Sequence, residues 1–165
     1  MLIALYNVNY LQLPFQLIKR ERPDFEMVNG CRKIGIEATE IINPDYARLQ
    51  TLLEVQNSES VLDPSNFKWS NQGRSLASLR KEASKTKLTG PAWVGDSVER
   101  EFAQSVIDTI NTKHEKLING FHRFAADFLL IYHNHSTPVL DFDAAIRYTD
   151  ERLKEYWSKG GGATW

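Results

Sequence analysis

Cysteine is nearly missing from this chain: Cys31 is the only one in 165 residues. That excludes an internal disulfide and a zinc centre built from several thiolates, and makes a reducing, cytoplasmic setting the expectation. An excess of charge of either sign is also lacking, since the net charge is −1 with 25% charged residues, which excludes a histone-like polycation. Long hydrophobic runs are absent too. The apolar opening MLIALYNVNYLQLPFQLIKR is interrupted by Asn7, Asn9, Gln12 and Pro14, with no basic residue ahead of it and no small-residue cleavage site, so it reads as neither signal peptide nor membrane span. No internal repeat is found, and the one low-complexity block, GGGATW, marks a flexible tail over residues 159–165. What remains is 42% hydrophobic and 11% aromatic, the composition of an ordinary globular protein. One domain over residues 1–158 is expected, with a single core and about 70% of the unfolded surface buried.

The periodicity predicts helices before, between and after a few strands, hence an α/β (α+β) fold with a small mixed sheet. The opening segment reads as helical to about residue 12 and extended from Phe15 to Lys19. A hairpin over residues 22–40 follows. Asn43-Pro44 then supplies the cap and first turn of a helix with Tyr46, Leu49, Leu52 and Leu53 on one side, ending near Asn57. Residues 58–73 read as loop. The basic stretch GRSLASLRKEASKTK is predicted helical, with Leu76 and Leu79 inward, and TGPAWVGD as a turn-rich connection. The longest helix is predicted over 98–124. It starts at Asp96-Ser97 with Glu99 in capping-box position, and Val106, Ile110, Leu117, Phe121 and Phe124 form its inward stripe. DFLLIYHN reads as a strand covered on both faces. Asp141 caps a last amphipathic helix through Phe142, Ala145, Ile146, Thr149, Leu153 and Trp157.

The hairpin carries acids where a packed pair of strands would rather have none. Side chains alternate along a strand, so Phe25 and Met27 share one face while Asp24 and Glu26 share the other. In the second strand Ile34, Ile36 and Ala38 take the apolar face, leaving Gly35, Glu37 and Thr39 opposite. The apolar faces must coincide, because a one-residue slip would drive one set into water. Two registers satisfy this. A two-residue Asn29-Gly30 loop pairs Asp24 with Gly35 and leaves Glu37 on the diagonal at roughly 7–8 Å, while a four-residue loop puts Asp24 opposite Glu37 at roughly 5 Å. In either, two carboxylates meet on one face and require a proton or a cation between them. The bland alternative is a solvated outer face.

Pro23-Asp24 at the head of one strand and Glu37-Ala38-Thr39 in the next, after an Ile-Gly-Ile run, resemble the PD-(D/E)XK nuclease superfamily, with its restriction-endonuclease-like fold. The resemblance implies Asp24 and Glu37 as ligands of Mg2+ or Mn2+, the backbone around Ala38 as a further ligand, and hydrolysis of phosphodiester bonds, most naturally in DNA. Many such nucleases act as dimers, so the resemblance leaves a homodimer open without the sequence fixing the oligomeric state. Two departures stand out. Thr39 occupies the position of the motif lysine, and residues 1–20 contain no Asp or Glu to supply an extra acid. Some members carry the lysine on a neighbouring helix. At about 100° per residue Lys113 falls between Ile110 and Leu117 on the inward stripe, where it either replaces that lysine or snorkels to water over an apolar stem. Lys116 lies to one side, and Glu26 and Glu40 read as peripheral.

Residues 68–87 hold Lys68, Arg74, Arg80, Lys81, Lys85 and Lys87 against Glu82 alone, a local charge of +5 beside Trp69. Together with Arg32 and Lys33 in the hairpin turn they are candidate phosphate contacts, with a solvated helix face as the alternative. His133-Asn134-His135 is contiguous, unlike the dispersed HNH nuclease motif, and reads as a strand end; His114 and His122 read as partly exposed. Three functions compete: a metal-dependent nuclease, a nuclease-like fold without catalysis that binds nucleic acid or protein, and a small-molecule-binding α/β protein, which would need a Gly-rich phosphate loop that this sequence lacks.

Overall fold

The computed structural model describes residues 14–55, 62–84, 90–118, 124, 126–134 and 140–158. Strands β1 (Gln16–Lys19), β2 (Phe25–Asn29), β3 (Arg32–Ile41) and β4 (Ala126–His133) lie in that order in one sheet. Helices α1 (Pro44–Val55), α2 (Leu76–Ala83), α3 (Ser97–Ile118) and α4 (Phe142–Ser158) complete the described elements, apart from a short 3-10 turn at Pro64–Asn66. The fold is α+β, a small mixed sheet with flanking helices. No helix among the described residues is long and apolar enough to cross a membrane.

The chain divides into two compact units, residues 1–39, 110–132 and 164–165 in the first and 40–109 and 133–163 in the second. Each has its own apolar centre, where the sequence suggested a single core. In the first, Met27, Ile34 and Ile36 are buried together, with Phe15, Phe25, Phe128 and Leu130 packed against them. This is the apolar face required by alternation along the hairpin. In the second, Tyr46, Leu49 and Leu53 of α1 and Leu79 of α2 close around Phe67. Leu49, Phe67 and Leu79 are fully buried, each stabilising by about 1.5–3 kcal/mol.

Local chemistry explains the element ends. Asn43 Oδ1 accepts from the N–H groups of Asp45 and Tyr46, capping α1 ahead of Pro44. Ser75 caps α2 by accepting from Ser78 N–H. Asp141 caps α4 through Ala144 N–H.

Several expectations are corrected. Leu76 is exposed, because α2 turns Leu79 and Ala83 to the core. The capping box at α3 does not form, since Glu99 turns to accept from Asp141 N–H. His114 is buried. Phe124 lies outside α3, which is described to Ile118, and Phe121 falls outside the described residues. β4 is half-buried from Asp127 to Ile131, with Tyr132 exposed. On α4, Phe142, Ile146 and Trp157 face outward while Ala145 is buried, because the helix is held by Tyr148 to Asp96 and Arg100 and by Arg152 to Gln104. The opening helix to residue 12, His122, His135 and the tail over 159–165 lie outside the described residues.

Candidate functional site

The hairpin register decides how the acids meet. Phe25 pairs with Ile36, Glu26 with Gly35, Met27 with Ile34, and Asn29 with Arg32. Continued by one residue, this register sets Asp24 opposite Glu37, the closer of the two pairings left open, but through a two-residue turn and not the four-residue loop expected for it. The turn residues are Gly30 and Cys31, and Gly30 takes φ of +57°, a conformation that a side chain would strain.

Both carboxylates are anchored. Ala38 N–H donates to Asp24 Oδ2 at 2.8 Å, tying the head of one strand to the residue after Glu37. Lys113 Nζ donates to Glu37 Oε1 at 2.7 Å. The two side chains of this ion pair are 20% and 21% exposed, so the ammonium sits on a carboxylate that is largely shielded from water. Thr39 follows two residues after Glu37, half-buried and on the same face by alternation.

A third carboxylate, missed from sequence, lies on this face. A Cβ added at Gly35 would stand 2.2 Å from Asp127 Oδ1, 2.9 Å from Phe124 and 3.0 Å from Pro23. Gly35 and Glu37 point the same way, so the Asp127 carboxyl lies over the Glu37 side of the sheet. The signal was present in principle: a glycine inside a strand often marks a close approach.

Glu26 is not peripheral as expected. It is 3% exposed, and Lys33 Nζ at 2.9 Å and Arg20 Nη2 at 2.6 Å reach its two carboxylate oxygens. Bonds from Lys33 and then Arg20 hold its carboxyl below the usual carboxylate range. This face therefore alternates acids (Asp24, Glu26, Glu37, Asp127) with cations (Arg20, Lys33, Lys113).

Among the described residues no group of three or more His, Cys, Asp or Glu side chains is placed to hold a metal. The two carboxylates of Asp24 and Glu37 are nonetheless an oxygen donor set of the kind that suits Mg2+, which is commonly bound by one or two carboxylates and keeps several waters; the Ala38 group at Asp24 is an N–H donor and not the further ligand expected.

The candidate phosphate contacts divide. Arg32, Lys33, Arg80 and Lys81 are exposed. Arg74 is corrected: its side chain is 17% exposed, its guanidinium stacks 4.4 Å over Phe67, Nη2 donates to Asn66 O, and Nε lies 3.7 Å from buried Asp45. The fold uses that charge to compensate Asp45. Lys68 likewise covers the Trp93 ring at 4.8 Å. Lys85 and Lys87 lie outside the described residues.

In the second unit, Trp69, Trp93, Phe102 and His133 help line a cavity of about 20 Å³, room for about one water. Trp93 Nε1 is buried there without a hydrogen-bond partner among the described residues. Burial pushes the His133 imidazole below its ordinary pKa, as suits a neutral ring against Phe102. Comparison with protein-family models, with curated proteins and with solved structures finds no match to this chain.

Proposed function

We propose that this chain is a metal-dependent nuclease hydrolysing phosphodiester bonds, with DNA as its substrate, acting as a homodimer in the cytoplasm. One observation carries the reading: the Lys113 ammonium stands 2.7 Å from Glu37, on the face that Asp24 shares. A carboxylate pair with one adjacent, largely desolvated lysine is the donor set that such hydrolysis requires, and Lys113 stands in for the cation that Thr39 lacks. In this reading Asp24 and Glu37 hold Mg2+ or Mn2+, which when bound polarises the phosphate and makes water more acidic. Lys113 stabilises negative charge developing on the phosphoryl oxygens. The Thr39 hydroxyl orients the attacking water. Arg32, Arg80 and Lys81 contact phosphates away from the scissile bond, while Lys33 stays on Glu26.

The experiment is a cleavage assay on single- and double-stranded DNA and RNA with Mg2+ or Mn2+, comparing wild type with Glu37→Gln. Cleavage by wild type alone is expected. A second reading draws on Thr39 and on the lack of a three-ligand group among the described residues: a catalytically inactive nuclease-like module that binds nucleic acid or protein. Binding of DNA without cleavage of any substrate would favour it.

A further inference from the structure

Like charges set the physics of this site. The paired ladder ends at Phe25 and Ile36; one residue further its register sets Asp24 opposite Glu37, where cross-strand Cβ atoms stand about 4.5–5.5 Å apart, and Asp24 Oδ2 accepts from Ala38 N–H. Asp127 adds a third carboxyl to the same side, over Gly35. The face is largely removed from water at Glu37, so solvent does little to screen the repulsion. Arg20 and Lys33 are committed to Glu26. Among the described residues the cation that reaches Glu37 is Lys113, carried from α3 across 76 positions of sequence.

From this arrangement we propose that Lys113 is the resident counter-cation of the Asp24–Glu37 pair, and that a divalent metal binds by displacing its ammonium from Glu37. The proposal rests on the reading of the pair as a metal site and adds how that site is regulated. A dication and an ammonium on one carboxylate repel each other, so the two compete. The displaced ammonium needs a new anion, and a phosphodiester bound at the same face provides one. Metal and phosphodiester therefore favour each other's binding, and a metal bound without substrate is held weakly. The long unbranched stem of Lys113 permits such a transfer, since its ammonium is a point charge free to swing.

Two measurements test this. Calorimetric titration of Mn2+ into wild type, Lys113→Met and Lys113→Arg should show Lys113→Met binding about tenfold more tightly than wild type, with Lys113→Arg unchanged. In wild type, which needs no variant to fold, 15N NMR of the lysine ammonium groups should show one slowly exchanging resonance that Mg2+ titration shifts and exposes. Equal or weaker Mn2+ binding by Lys113→Met, or an ammonium resonance indifferent to Mg2+ while the metal binds, overturns the displacement and leaves the metal site standing. Absence of metal binding in wild type and Lys113→Met alike overturns both.

Discussion

Lys113 Nζ lies 2.7 Å from Glu37 Oε1, joining the C-terminal part of α3 to the strand that pairs with β2. Both side chains are about four-fifths buried, so this pair is held by more than a surface ion pair. A double-mutant cycle of Glu37→Gln and Lys113→Met, followed by urea unfolding, is expected to give a coupling of about 1–2 kcal/mol. A coupling near zero would place the two groups in solvent, not on each other.

Gly35 leaves the space that Asp127 occupies. Gly35→Ala is expected to cost about 1–3 kcal/mol, because the added carbon meets Asp127, Phe124 and Pro23 at once. Shortening Asp127 to Ser in the same chain should recover only part of the loss, since Phe124 and Pro23 remain. Full recovery would locate the whole conflict at Asp127.

The basic segment separates into cations that the fold uses and cations that are exposed. Arg74→Ala should destabilise by about 2–4 kcal/mol by leaving Asp45 less compensated. Arg80→Ala with Lys81→Ala should leave stability within about 0.5 kcal/mol of wild type. That double variant should instead lower the log-log salt slope of duplex DNA binding, by about 0.9 for each phosphate that is no longer neutralised. An unchanged slope assigns both residues to solubility.

Hydrogen bonds from Arg100 and then Tyr148 lower the Asp96 carboxyl from 3.8 to about 2. A folded-state pKa below the unfolded one means stability that is present above 3.8 and is lost as pH falls toward 2. Melting temperature measured between pH 5 and 2 should therefore fall less steeply for Asp96→Asn than for wild type. An identical slope would remove Asp96 from the acid response.

Strand alternation and two apolar sets sufficed to place Asp24 and Glu37 on one face, whatever the register, because the side-chain period of a strand is two. Helical phase put Lys113 with Ile110 and Leu117 on a side of α3 that is half-buried, while the buried side runs through Ala103, Ile107 and His114; Asn43-Pro44 sufficed to begin α1, a consequence of local geometry. Only tertiary structure chose between the registers, through a turn at Gly30-Cys31 that moves the pairing by two residues. It also brought Asp127 over Gly35 and drew Arg74 inward to Asp45, and both depend on the meeting of segments far apart in the chain. A cation on a helix surface and a cation beneath it look alike in sequence. Their difference is which buried charge lies within reach, and that distance exists only after the chain has folded.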